Sequence, residues 1–230
     1  METYTLGLAL EDFLPVILSS AGFWLVSSAL SRIDAQIGRM AQIGWLLITI
    51  GGVLKASWKL VMALTNGGTN IVFFDKSLFV WLGVGFVLLS YAISYGWRIL
   101  YQNNPRTRIW RWPSVTIALF FVGGLATGFP DVTISTWRFI FLGMMTIANV
   151  SIAALLIAQA RRQGQTLAAA LLAVNIIIVF VLSGLARIPD QTIALQWTEQ
   201  ILNTIGQGAF LYAAWQLVGQ METNPQISVA

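Results

Sequence analysis

The chain has 230 residues, of which 57% are hydrophobic and only 10% are charged. A soluble domain carries about 25% charged residues, so this composition could not cover the surface of a water-soluble globule. It suits a protein whose outer surface faces lipid. Cysteine and histidine are both absent. Their absence excludes disulfides, thiolate chemistry and imidazole ligation of zinc or haem, so no metal and no cofactor are expected.

The formal net charge is +4. Most basic residues fall in short connections between apolar stretches, so we interpret them as orientation signals and expect no binding of nucleic acid. The first residues lack a basic region followed by a short apolar core and a cleavage site, so no removable signal peptide is expected.

Seven apolar stretches approach the roughly 20 residues that a helix needs to cross a bilayer. The sequence therefore predicts an all-α fold, a polytopic membrane protein with a seven-transmembrane-helix bundle. We predict a single domain at 1–220 and a cytoplasmic tail at 221–230. The connections are short, so helices adjacent in sequence should pack as antiparallel neighbours. The predicted segments are 13–30, 41–64, 78–98, 113–129, 137–159, 167–186 and 192–217.

The basic residues are distributed unequally between the two sets of connections. The loops after segments one, three and five contain one acid, Asp34, and eight arginines: Arg32, Arg39, Arg98, Arg106, Arg108, Arg111, Arg161 and Arg162. The opposite loops contain Asp75, Asp131 and Asp190 beside Lys76, Arg138 and Arg187. Because positive loops stay in the cytoplasm, the N-terminus is predicted outside and the C-terminus inside. A bacterial plasma (inner) membrane is the expected location, because no added targeting segment is recognised.

The first two segments carry charged residues towards the predicted outer face. Glu11 and Asp12 precede segment one, and we expect them to form a solvated, acidic entrance. Segment two contains Lys55 and Lys59, which share a helix face because they are four residues apart. At 1.5 Å per residue, Lys59 reaches the outer surface while Lys55 stays roughly two-thirds of the way across. Charged residues inside a membrane helix usually serve a function, which makes Lys55 the stronger candidate.

Segments four to six add small and amide residues. Gly124 and Gly128 form a G-x-x-x-G spacing, which favours close helix packing within the chain or between two chains. Asn149 and Asn175, with Asn203 of segment seven, fall about halfway across the membrane. These three amides could hydrogen-bond one another and pin the bundle. They could equally form the floor of a polar cavity whose mouth is lined by Lys55, Glu199 and Arg138.

Segment seven carries a polar stripe at helical period. Gln196, Glu199, Asn203 and Gln207 recur at spacings of three and four residues, with Gln200 beside them. Such a stripe must face protein or water rather than lipid, and it either joins helices or lines a site. Glu199 lies about as deep as Lys55, so we hypothesise that the two approach each other across an outward-facing cavity.

These patterns favour an integral membrane protein that binds or transports a small polar or anionic solute, or a lipid headgroup, between helices two and seven. A heptahelical receptor or sensor, and an accessory subunit of a larger membrane complex, stay open as alternatives, as does a homo-oligomer. An enzyme is not expected, because only Glu199 is a convincing intramembrane acid. The layout is that of rhodopsin-like proteins, but segment seven has no lysine that could bind retinal.

Overall fold

Helices form almost all of the part of the chain that the computed structural model describes, which is residues 5–102, 108–131, 133–189 and 192–223. The predicted loop residues Arg106 and Asp190 lie outside these ranges, as do residues 224–230 of the predicted tail. The helices are α1 Leu6–Glu11, α2 Phe13–Ile33, α3 Ala35–Leu64, α4 Val72–Lys76, α5 Leu78–Gln102, α6 Arg111–Ala126, α7 Thr136–Arg162, α8 Thr166–Leu185 and α9 Ile193–Thr223.

The prediction of an all-α bundle with seven main helices is confirmed. The seven predicted segments coincide with α2, α3, α5, α6, α7, α8 and α9 to within a few residues, apart from the earlier start of α3 and the later end of α9. Within the described ranges, five spans are long and apolar enough to cross a membrane: Leu6–Ile33, Ala35–Leu64, Val72–Gln102, Thr136–Arg162 and Thr166–Leu185. This is the architecture of an integral membrane protein.

The remaining two main helices differ from these five spans. Helix α6 has 16 residues. At 1.5 Å per residue it is about 24 Å long, shorter than a bilayer core of about 30 Å. Helix α9 has 31 residues and continues to Thr223, past the predicted start of the tail. It carries the polar stripe and is not among the five apolar spans.

Six of the seven main helices form a closed ring in the order α2, α3, α5, α7, α8, α9, and α9 returns to pack against α2. Helix α6 lies outside this ring, where it contacts α5 and α7. The predicted packing of sequence neighbours is therefore correct. The predicted site between the second and seventh segments is wrong in its geometry, because the first segment, α2, lies between them and closes the ring.

The helices of the ring meet through a buried apolar core and a few interhelical hydrogen bonds. Met40, Leu89, Phe141 and Met144 are at most 1% exposed. The Trp45 indole of α3 donates to the carbonyl oxygen of Ser20 in α2 at 2.9 Å. The Ser20 hydroxyl also accepts from this indole at 3.0 Å and lies 2.9 Å from the Thr49 hydroxyl. These contacts fix the rotation of α2 on α3.

Glycines allow the backbones of α3 and α5 to approach each other closely where these two helices cross. A Cβ atom added to Gly85 would lie 2.7 Å from the carbonyl oxygen of Gly44 and 2.7 Å from the side chain of Ile48. Gly124 and Gly128, the predicted G-x-x-x-G pair, do not form a common packing face. Gly124 packs against the Phe141 ring, whereas Gly128 lies beyond α6 in a turn with φ +104°. Gly128 therefore ends the helix instead of providing a packing surface.

Substitution of Gly85 by alanine should destabilise the protein, because the new methyl group meets backbone that cannot move independently. Overpacking of this kind costs roughly 1–3 kcal/mol. Gly143→Ala is the control, since nothing lies within 4 Å of its added Cβ. The control should be neutral or gain up to about 1 kcal/mol of helix propensity. Thermal unfolding in detergent measures both variants, and equal midpoints would contradict the close crossing.

Candidate functional site

Helices α1 and α2 meet at a carboxylate that lies within the bundle. Asp12 lies between the end of α1 and the start of α2 and keeps helical backbone angles, with φ −54° and ψ −24°. Leu6–Ile33 therefore runs on as one apolar span. The Asp12 side chain faces the neighbouring helices, and the residue is only 9% exposed.

Asp12 joins three helices near the predicted outer face. The Lys59 ammonium of α3 lies 2.9 Å from its Oδ1 atom and 2.6 Å from its Oδ2 atom. The Gln200 side chain of α9 also donates to Oδ1. Glu11 makes a second link to α9, because its Oε1 atom accepts from the Thr204 hydroxyl at 2.5 Å. The expectation that Glu11 and Asp12 form a solvated entrance is wrong, since both are engaged within the bundle.

Lys55 belongs to a neighbouring ion pair. The loop after α3 folds back as the short helix α4, which places Asp75 against the Lys55 ammonium. The same ammonium lies 4.1 Å from the centre of the Trp58 ring, and the Trp58 indole donates to Asn70 at 2.8 Å. The hypothesis that Lys55 approaches Glu199 is therefore wrong in its choice of acid. Asp75, predicted to lie in an outer loop, reaches the lysine because α4 packs on α3.

The other predicted charged and polar residues of the mouth lie around these ion pairs. The Arg138 guanidinium of α7 lies 5.6 Å from the Phe79 ring centre. Gln196 is 8% exposed, and Glu199 is partly buried one turn further along α9. Both make polar contacts within the protein. Together with Asp12, Glu11, Lys59, Lys55 and Asp75 they form what we term the outer charged layer.

Below this layer lies the axial cavity, an internal space of about 170 Å³ to which all six ring helices contribute residues. Four predicted site residues line it: Asn149 of α7, Asn175 of α8, and Asn203 and Gln207 of α9. The three asparagines of the predicted amide layer all line this space. The predicted mouth is wrong, because Lys55, Glu199 and Arg138 do not line it.

Only some of the amides that line the axial cavity form hydrogen bonds within the protein. Asn175 donates to the carbonyl oxygen of Gly206 at 2.9 Å, and Gln207 donates to Asn203 at 3.4 Å. Asn149 has no hydrogen-bond partner among the described residues. The Asn149 amide can therefore offer both a donor and an acceptor to a bound molecule.

Apolar side chains form the rest of the cavity wall. The Phe23 ring of α2 lies 5.6 Å from Phe86 and 4.5 Å from Phe210, measured between ring centres. Ile48 and Leu172 are further apolar members of the lining. Among the residues that the structure describes, no charged side chain contributes to it. A few convergent polar groups in a mainly apolar space are typical of sites for small molecules.

The part of the chain that the structure describes contains no cluster of three or more acidic side chains able to hold a metal ion. The carboxylates Asp12 and Asp75 each face a lysine. The arrangement is therefore suited to holding a polar molecule by hydrogen bonds, with the ion pairs of the outer charged layer above it.

No protein-family model, curated protein or solved structure matches this chain. The site is therefore interpreted from its own geometry.

Breaking the Asp12–Lys59 pair from one side should destabilise the protein strongly. The side chains are only 11% and 17% exposed, and removal of one partner from a buried pair costs roughly 3–5 kcal/mol. We expect this loss for Asp12→Asn and for Lys59→Met, and a smaller loss in the double variant, which leaves no unpaired charge. Thermal unfolding in detergent provides the comparison.

Lys76→Met is the matched control for these variants, because Lys76 lies 3.9 Å from Asp75 in a longer, more exposed ion pair. Its loss should stay below about 1 kcal/mol. Strictly additive losses in the Asp12/Lys59 double variant would show that the two residues do not interact as described.

Proposed function

We propose that this integral membrane protein binds a small, neutral polar solute in the axial cavity and lets it cross the membrane there. The observation that carries the proposal is the meeting of Asn149, Asn175, Asn203 and Gln207 around one space. The positions of the three asparagines along their helices predict that this space lies at about mid-membrane depth. Polar residues at this depth are costly unless they are paired or functional. Asn175 and Gln207 are hydrogen-bonded within the protein, whereas the Asn149 amide is left for a ligand.

The chemistry of the lining defines the class of solute. Amides donate and accept hydrogen bonds but carry no charge, so they complement hydroxyl, amide or urea groups better than an anion. The volume of about 170 Å³ far exceeds the ~15 Å³ that one water molecule needs. Of the ligands expected from the sequence, a small polar or anionic solute or a lipid headgroup, the uncharged polar solute fits best, because the lysines form ion pairs away from the cavity.

The outer charged layer supplies the second part of the proposal. Asp12 joins α2, α3 and α9 above the cavity, so separation of its contacts would loosen the ring at that end. We therefore assign the contacts of Asp12 with Lys59 and Gln200 to the outer gate of the pathway, with the N-terminus outside the plasma membrane.

Solute flux in proteoliposomes tests this function. Stopped-flow light scattering should show faster swelling with glycerol or urea than in protein-free vesicles. Asn149→Leu should lower the protein-dependent rate by up to about tenfold, since it removes an amide worth roughly 1 kcal/mol of hydrogen bonding and adds an apolar branch. Asn149 has no described intraprotein partner, so the variant should still fold.

Ser183→Leu is the control, because Ser183 lies on the exposed surface of α8 and bonds only to its own helix, at the Val179 carbonyl. Its swelling rate should equal that of the native protein. Equal swelling of native proteoliposomes and empty vesicles for every solute would refute transport and would favour a receptor, sensor or accessory subunit.

A further inference from the structure

A second site lies outside the ring, where α6 stands away from it. Helices α5, α6 and α7 border a groove of about 440 Å³, a volume within the range of small-molecule sites. Its walls are mostly apolar, and Ile147, which lines it, is 64% exposed. In a membrane this groove opens to lipid.

Hydroxyl groups concentrate in the groove. Those that line it are Ser90, Tyr91, Ser94, Thr116 and Ser151. The Tyr91 and Thr116 hydroxyls lie 2.9 Å apart and join α5 to α6, while Ser90 bonds to the carbonyl oxygen of Val87. Ser94 has no hydrogen-bond partner among the described residues. Its hydroxyl is available to a bound molecule that carries oxygen atoms as well as apolar chains.

Arginines lie at the end of the same three helices that faces the predicted cytoplasm. Arg98 is four residues beyond Ser94 on α5 and so shares its face. Arg111 begins α6, five residues before Thr116. Arg162 ends α7, and its guanidinium lies 5.1 Å from the ring centres of both Trp97 and Tyr101 on α5.

These arginines have no acidic counterpart in the described ranges. Asp34 is the acid predicted for this face, and its carboxylate caps the N-terminus of α3 through the backbone N–H groups of Gln36 and Ile37. No described carboxylate forms an ion pair with Arg98, Arg111 or Arg162. Among the described residues no carboxylate neutralises their positive charge, so an anion can bind beside them.

We propose that an anionic phospholipid of the arginine-facing leaflet binds here, with its phosphate at Arg98 and Arg111 and an acyl chain in the α5–α6–α7 groove. Charge complementarity selects the phosphate, and basic pockets between membrane helices bind such headgroups. The hydroxyl of Ser94 lies one helical turn deeper than Arg98 and can donate to the glycerol ester. The apolar walls then accommodate the chain. This site is separate from the axial cavity and does not depend on solute transport.

Native mass spectrometry of the protein in detergent, titrated with dioleoyl phosphatidylglycerol or dioleoyl phosphatidylcholine, tests the proposal. We expect the anionic lipid to bind more tightly. Arg98→Gln and Arg111→Gln should each weaken its binding about fivefold, as expected for loss of roughly 1 kcal/mol per basic residue. Ser151→Phe should weaken it as well, by filling the groove.

Each variant has a matched control. Arg39→Gln removes an exposed arginine of the same predicted face that lies on α3, away from the groove. Ser183→Phe adds a ring at a serine whose hydroxyl bonds to its own helix at 2.9 Å, just as that of Ser151 does at 2.8 Å. Both controls should retain native binding of phosphatidylglycerol.

Three outcomes would overturn the site. The first is equal binding of the two lipids, and the second is an Arg39→Gln loss as large as that of Arg98→Gln, which would indicate general surface charge. The third is complete displacement of the lipid by glycerol 3-phosphate at similar concentration, which would indicate a soluble anion site without a role for the groove. Unchanged thermal unfolding midpoints of the variants separate loss of binding from loss of folding.

Discussion

The buried carboxylate of Asp12 is the constraint on which the rest of the bundle depends. A charge in this position needs a counter-charge and hydrogen bonds, because its desolvation is otherwise too costly. Lys59 and Gln200 satisfy it from α3 and α9. Since α9 is distant in sequence from α2 and α3, these contacts of Asp12 bring the beginning and the end of the described chain together and close the ring.

Closure of the ring separates the charged residues from the uncharged amides, which the sequence analysis had placed in one common site. The charged residues pair with one another near the outer face, whereas the amides meet below them around the axial cavity. The exclusion of charge from that cavity is what directs the proposed function towards neutral solutes. Helix α6 takes no part in closure, and its position outside the ring creates the groove assigned to a lipid.

The sequence predicted the helices well, because the length and hydropathy of a membrane span are properties of each segment alone. The three asparagines that their helical positions place at one depth all line the axial cavity. The partners of Lys55 and Lys59 were missed because they depend on non-local geometry. Asp75 reaches Lys55 through the fold of α4.

Cross-linking across the first and last helices tests ring closure most directly. The native chain has no cysteine, so Glu11→Cys combined with Thr204→Cys provides a background-free pair at side chains that touch in the structure. A short bifunctional thiol reagent applied to membranes should join these two positions efficiently. It should not join Glu11→Cys to Ile201→Cys, which places the thiol on the exposed face of α9. Equal cross-linking of both pairs, or of neither, would contradict a ring closed by the contacts of Glu11 and Asp12 with α9.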